Sequence, residues 1–208
     1  MELVRKEYDG CVVWTVLSGG EPFGFVAIDS TVSGRSCGGL RMLPDVDEDE
    51  IRGLARAMTL KYGFLRLPRG GAKAGVRADP DAPRDERLAA LVEFGRAIEP
   101  LLESKIFLPA ADMGTCASDI RFMLDGVGVK PGRRELAGSS SGYYTAVSAM
   151  ASVRQAAAVR GLNLSRCTAA VEGFGKVGAP LAGLLSREGV KVVAVSTLLG
   201  ALYNPGGL

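Results

Sequence analysis

Hydrophobic positions along the chain switch between two periods, and the switches mark its elements. Cys11–Leu17 (CVVWTVL) is a β-branched apolar run of the kind that forms a strand. Gly19-Gly20 and Pro22 turn the chain into a second such run, Phe23–Asp29, so a hairpin is predicted. Ser33–Gly39, with Gly34 and the pair Gly38-Gly39, reads as loop. The period then becomes helical. Ile51, Leu54, Ala55 and Met58 form an apolar stripe behind Asp47, which can cap the helix, with Glu50 three residues on as in a capping box. Lys61 falls at the edge of that stripe, three residues after Met58 and seven after Leu54.

Residues 63–72 break into a Gly/Pro-rich loop, Lys73–Asp79 reads as a short strand, and Pro80 and Pro83 mark another loop. A helix is predicted from about Asp85 to Ile98, ended by Pro100. Ile106–Leu108 is a short strand running into the loop Pro109–Gly114, and the Gly/Ser-rich residues 125–142 read as a linker between domains. An Ala-rich helix, Tyr143–Arg160, follows. Then come a strand (Thr168–Val171), a helix (Val177–Arg187) with Leu181, Leu184 and Leu185 on one face, Gly189 at its C-terminus, and a buried strand (Val190–Ser196). These last three make one β–α–β unit.

Composition narrows the chemistry. The 208 residues suffice for one large domain or two small ones, and 47% hydrophobic with 23% charged residues is ordinary for a globular protein. A net charge of +2 with scattered basic residues points to neither nucleic acid nor an anionic membrane. The N-terminus is too charged for a secretory segment, and no apolar run approaches a membrane span. Cys11, Cys37, Cys116 and Cys167 form no C-x-x-C pair, so no metal site or disulfide framework is expected and a cytoplasmic setting is. The absence of histidine excludes Ser-His-Asp and Cys-His catalysis within the chain and leaves acid–base work to Lys, Asp, Glu, Tyr or Cys.

Two groups of residues carry candidate chemistry. Between the Thr168–Val171 strand and the helix after it stands Gly173-Phe174-Gly175-Lys176-Val177-Gly178. This is G-x-G-x-x-G in the strand–turn–helix setting that brings a pyrophosphate to a helix N-terminus. The acidic residue that normally meets the ribose at the end of the second strand is missing. Ser196 and Thr197 stand there and suit a hydroxyl or a 2′-phosphate, so NAD and NADP both remain open. The second group is Lys61 on its apolar stripe, Lys73 among Gly70, Gly71 and Gly75, and Asp112 after an apolar strand. A desolvated lysine beside another cation can act as a base, a carboxylate nearby can shuttle protons, and a second lysine can hold a substrate carboxylate. Spacing alone also allows a snorkelling Lys61, a solvated Lys73 and Asp112 as a turn residue.

Several segments resemble the Glu/Leu/Phe/Val dehydrogenase family, in the family's order. They are Cys37-Gly38-Gly39-Leu40-Arg41-Met42, Ala57–Lys61, Leu67–Gly75 with the trailing Asp79-Pro80, Pro109–Thr115, and Val171–Gly178. The resemblance implies an α/β chain. Residues 1–132 would be an N-terminal substrate-binding and oligomerisation domain, and 133–208 the start of an incomplete Rossmann-type, doubly wound NAD(P)-binding domain. It implies oxidative deamination of an amino acid to its 2-oxo acid and ammonia, in a homo-oligomer. By the same resemblance Lys73 is the catalytic lysine that activates water, Asp112 the acid–base aspartate, and Lys61 the ligand of the substrate α-carboxylate. Gly38, Gly39 and Met58 line the pocket, and Ser141-Gly142 begins the helix entering the nucleotide domain, with Ser141 expected to contact cofactor or substrate.

The resemblance bears on the substrate through Cys37, which stands where glutamate-specific relatives carry a lysine for the side-chain carboxylate. A thiol cannot balance that charge, so a leucine-, valine- or phenylalanine-type substrate is expected, with glutamate as the alternative. Ala137–Ser140 resembles phenylalanine-type members, whereas Tyr203–Leu208 resembles glutamate-type ones. A doubly wound domain needs more strands than this chain has, so the chain is expected to be part of a longer enzyme. The rival expectation is a truncated, non-catalytic paralogue acting as an oligomerisation or regulatory module.

Overall fold

The computed structural model describes residues 1–130 and 141–208, apart from the side chain of Ser141. Two compact units divide the chain, Met1–Gly138 and Ser139–Leu208. The expected domain boundary at 132/133 and the segment Ala137–Ser140 lie outside the described residues. No helix among those residues is long and apolar enough to cross a membrane.

The first unit begins with an antiparallel meander, β1 (Glu2–Tyr8), β2 (Cys11–Ser18) and β3 (Glu21–Ile28). It continues through β4 (Ser36–Met42), α1 (Glu48–Phe64), β5 (Gly70–Val76), α2 (Arg84–Ala97), the single turn α3 (Glu99–Glu103), β6 (Phe107–Ala111) and α4 (Ala117–Gly126). The six strands form one mixed sheet in the order β1-β2-β3-β5-β4-β6. Strand β5 runs antiparallel to β3 and parallel to β4, which runs parallel to β6.

Side-chain alternation gives this sheet two buried faces. On one, Val26, Leu40, Met42, Ala72, Ala74 and Val76 pack with Leu88, Leu91 and Phe94 of α2 and with Ile120 and Met123 of α4. On the other, Val13, Phe25 and Ala27 pack against Ile51 and Ala55 of α1. Each such side chain withdrawn from water contributes roughly 1.5–3 kcal/mol. Alternation from Ala72 and Ala74 puts Lys73 on the α1 face, and from Leu40 and Met42 puts Arg41 there too.

Several expectations are corrected. Residues 36–39 are not loop but the start of β4, an inner strand of the sheet. The glycines are there for close approach rather than for turning: a Cβ on Gly38 would lie 1.6 Å from the carbonyl oxygen of Ala72. The charged N-terminal residues form the edge strand β1, where one flank pairs with β2 and exposed charges such as Arg5 and Glu7 suit the open side. Helix α1 runs to Phe64 and β5 begins at Gly70 and ends at Val76, so both elements invade the loop expected over 63–72. Pro100 does not end α2, which stops at Ala97. It sits in the first turn of α3, where its missing N–H costs nothing. Strand β6 passes through Pro109 to Ala111, which an edge strand tolerates. Helix α4, unanticipated, takes up the start of the segment read as linker.

The second unit contains α5 (Ser141–Val159), β7 (Thr168–Val171), α6 (Gly178–Arg187), β8 (Lys191–Thr197) and β9 (Gly200–Tyr203). Strands β7 and β8 are parallel around α6, and the unanticipated β9 returns antiparallel to β8. Met150, Val171, Ala182, Leu185, Val190 and Val192 form its core.

Candidate active site

Strand β4 lies between β5 and β6, and at Gly39 it carries no side chain. Lys73 from β5 and Asp112, just past β6, therefore meet across it, with Lys73 Nζ 2.5 Å from Asp112 Oδ2. A Cβ on Gly39 would sit 2.8 Å from Asp112 Cβ and 3.2 Å from Lys73 Nζ, so the bare backbone is what lets the pair close. Lys73 is buried among β4 and β5 residues that are themselves buried, while the Asp112 side chain keeps 24% of its surface open. The pair thus has one wet oxygen-bearing end and one dry nitrogen-bearing stem.

Two further charges complete the cluster. Arg41, two residues beyond Gly39 on the same face of β4, places Nε 3.2 Å from Asp112 Oδ2 and Nη1 2.5 Å from Glu50 Oε1. Lys73, Asp112, Arg41 and Glu50 form an alternating chain of charge in which no buried ion stands alone. Burial pushes the Asp112 carboxyl up, but the hydrogen bond and charge of Lys73, and then of Arg41, outweigh it and hold the group below its ordinary range. The Asp47 side chain caps α1 by accepting from Glu50 N at 2.8 Å. The side chain of Glu50, expected to complete the capping box, is turned to Arg41 instead.

Asp112 is held from behind as well. Its N–H donates to Thr115 Oγ1 at 2.9 Å, and that hydroxyl donates to the Leu40 carbonyl at 2.8 Å. Gly114 adopts φ +73°, and any Cβ there would strike the Met42 carbonyl at 2.1 Å, so the turn after Asp112 is pressed onto β4.

The other residues expected to bind substrate lie on β4 and α1. Cys37 lies two residues before Gly39, on the same face, and is buried. Burial raises the Tyr62 phenol well above its ordinary range, with the charge of and hydrogen bond to Cys37 adding to the shift. Arg69 Nη1 approaches Cys37 Sγ at 3.8 Å. Met58 is half-buried and Lys61 exposed on α1, which packs so closely on β5 that a Cβ on Gly71 would meet Thr59 N at 2.2 Å. Among the described residues Lys61 forms no ion pair. Arg41, Glu50, Thr115, Tyr62 and Arg69 escaped the reading of the sequence. The signal for Arg41 was its two-residue step from Gly39, which has meaning only once Gly39 is known to lie in a strand.

In the second unit the glycine motif forms a tight crossover. Gly173 takes φ +86°, Phe174 N donates to the Ser196 carbonyl at 2.7 Å, and Gly173 N donates to Ser196 Oγ at 3.3 Å. A Cβ on Gly178 would meet Gly173 O at 2.1 Å, and one on Gly142 would meet Lys176 O at 2.1 Å, whereas around Gly175 there is open space. Helix α6 starts at Gly178 behind Val177 with no side-chain cap; Ala179 N already donates to the Gly175 carbonyl at 3.0 Å, and Pro180 has no N–H. The tight turn, close-packed at Gly178 and open at Gly175, has the form a dinucleotide pyrophosphate requires. Ser196 braces the turn, and Thr197 Oγ1 accepts from Leu199 N at 3.2 Å in the turn to β9. Neither hydroxyl is displayed as a carboxylate would be. The side chain of Ser141 lies outside the described residues. No group of three His, Cys, Asp or Glu side chains among those residues could hold a metal.

Comparison with known proteins identifies the family. Residues 21–128 match the profile described as Glu/Leu/Phe/Val dehydrogenase, dimerisation domain, and residues 138–208 that of Glutamate/Leucine/Phenylalanine/Valine dehydrogenase. The chain belongs to the Glu/Leu/Phe/Val dehydrogenase family. Among curated relatives it is similar to the NAD-specific glutamate dehydrogenase of Staphylococcus aureus, at 32% identity over 89% of this chain and 48% of that protein. It is also similar to NAD-specific glutamate dehydrogenase A of Halobacterium salinarum, at 34% identity over 89% and 45%. The Leu-bound hetero-hexameric glutamate dehydrogenase of Thermus thermophilus matches the fold with a TM-score of 0.73 and 27% identity, over 96% of this chain and 52% of that one. The chain thus spans about half the length of the family members it matches.

Proposed function

We propose that the chain supplies the deaminating centre and the pyrophosphate-binding turn of a nicotinamide-dependent amino-acid dehydrogenase. The reaction is L-α-amino acid plus water plus NAD(P)⁺ to 2-oxo acid, ammonia and NAD(P)H with release of a proton. The observation that carries this reading is the Lys73–Asp112 contact of 2.5 Å over the bare backbone of Gly39. The cofactor, when bound, takes the hydride from the α-carbon. The chain's own residues then manage water and protons. Lys73 accepts a proton from the water that attacks the substrate imine, and Asp112, the nearest base, relays protons to the departing nitrogen. Arg41 keeps Asp112 ionised and oriented. Lys61, exposed and in no ion pair among the described residues, binds the substrate α-carboxylate as a point charge, with Gly38, Gly39 and Met58 as the wall.

Open space at Gly175 and the obligatory glycine at 178 support the nucleotide assignment. The NAD-specific relatives favour NAD over NADP, and the match to a dimerisation domain favours a homo-oligomer. Cys37 taken alone favours a leucine-, valine- or phenylalanine-type side chain. The Arg69 guanidinium beside it favours glutamate-type recognition. The deciding experiment is Lys73→Ala in the full-length protein: turnover should fall by roughly 10³-fold or more while nicotinamide binding persists. Near-normal turnover would remove Lys73 from the chemistry.

A further inference from the structure

Arg69 sits at the mouth of a small cavity of about 120 Å³ lined by Arg35, Ser36, Cys37, Pro68, Arg69 and Leu108. The two loops that carry the arginines are tied together, since Gly70 N donates to the Arg35 carbonyl at 3.2 Å. Neither arginine forms an ion pair among the described residues. Among the described residues the side-chain hydrogen-bond partner of Arg69 is the Cys37 sulfur at 3.8 Å, and a thiol is a weak acceptor. Two cations therefore line one cavity with no balancing anion among the described residues.

The position of this cavity relates it to the acid–base pair. Cys37 and Gly39 are alternate residues of β4 on one face, so they stand roughly 6.6 Å apart along the strand. Lys73 and Asp112 meet over Gly39, and Arg69 meets Cys37. An amino acid whose α-carbon lies at the first point, with its side chain running along β4, brings a group two or three bonds further on to the second. The cavity is smaller than the ~150 Å³ space that takes up a benzene ring, so it suits a carboxylate better than an aromatic ring. Exchanging a sulfur acceptor for a carboxylate also gives the guanidinium a charge-assisted, bidentate partner.

We infer that Arg69, reaching over Cys37, is the specificity-determining cation of this site and receives the side-chain carboxylate of an acidic amino acid. The inference rests on the dehydrogenase reading above for the placement of the α-carbon. It reverses the expectation drawn from Cys37: the charge missing from position 37 is supplied from position 69.

The test compares the full-length protein with Arg69→Met and Arg69→Lys. Glutamate and leucine are the substrates, and calorimetric binding of glutarate and 4-methylpentanoate is a second readout that needs no turnover. Arg69→Met should lower kcat/KM for glutamate and affinity for glutarate by about 10- to 100-fold, with less than about a threefold change for leucine and 4-methylpentanoate. Arg69→Lys should restore part of the loss. If Arg69→Met leaves the glutamate-to-leucine ratio and the glutarate affinity unchanged, the inference is overturned although the dehydrogenase reading stands. If the protein oxidises no amino acid, that reading fails. Glutarate binding then decides Arg69 alone, a loss on Arg69→Met supporting it and no change overturning it.

Discussion

Thr115 holds Asp112 to the sheet by a single hydroxyl that accepts from Asp112 N and donates to the Leu40 carbonyl. The Asp112 carboxylate is thereby anchored through its backbone as well as by its ion pairs. Thr115 is 5% exposed, so Thr115→Val strands a buried donor and a buried acceptor, a loss of about 1–3 kcal/mol. The urea midpoint should drop accordingly and Thr115→Ser should recover most of it. Equal midpoints for the valine variant and the parent protein would show that water replaces the hydroxyl.

The adjacent glycines make a contrasting pair. Gly38→Ala drives a methyl into the Ala72 carbonyl at 1.6 Å, backbone against backbone, and should prevent β4 from seating, giving insoluble or unfolded protein. Gly39→Ala meets Asp112 Cβ at 2.8 Å and the movable end of Lys73 at 3.2 Å. It should fold, with a modest drop in melting temperature, yet lose turnover in the complete enzyme because the lysine is displaced from its carboxylate. Circular dichroism together with activity separates the two outcomes. A folded Gly38→Ala would contradict the close approach described here.

Stability should depend on acid in a way that Asp112→Asn removes. The Asp112 carboxyl is held below its ordinary value of 3.8, because Lys73 and Arg41 outweigh burial. A depressed native pKa contributes stability that is fully present above the unfolded value and is lost as pH falls through the native one. The parent protein should therefore lose this contribution only below about pH 3.8. Asp112→Asn leaves Lys73 and Arg41 without that counter-charge and should be less stable at neutral pH, the gap narrowing in acid. Parallel denaturation midpoints at all pH values would contradict the assignment.

Gly175 gives a test of the nucleotide turn in which no protein atom is disturbed. A methyl there meets nothing within 4 Å, so Gly175→Ala should leave the melting temperature unchanged. Nicotinamide dinucleotide affinity, followed by fluorescence or calorimetry, should nonetheless fall by roughly 10-fold or more if a pyrophosphate approaches that backbone. Unchanged affinity would place the ligand elsewhere.

The parts of this molecule that were legible in its sequence are those where one residue type announces one conformation. The β2–β3 hairpin, the Asp47 cap, the helix after it and the G-x-G-x-x-G turn all declare themselves locally. What stayed hidden depends on neighbours far along the chain. Gly38-Gly39 reads as a turn until Ala72 and Asp112 are known to press against it. Lys73 and Asp112 could be named from motif resemblance, but not the Arg41–Glu50 extension, which joins β4 to α1 by side chains nine residues apart. Arg69 lay within the quoted glycine–lysine segment and still went unread, because its partner Cys37 is 32 residues away.

The address of Lys73 within the sheet governs how the site responds to stress. With three strands on each side of the β3–β5 junction, amides of β5 have no frayed edge through which to exchange with solvent. Hydrogen–deuterium exchange at Lys73 and Ala74 should therefore report the opening of the whole first unit and not a local fluctuation. A destabilising change at β1 would leave the β5 backbone that carries Lys73 in place until that unit comes apart. Heating should accordingly expose the Lys73 amide in one step, at the unfolding transition, with no gradual rise in exchange beforehand.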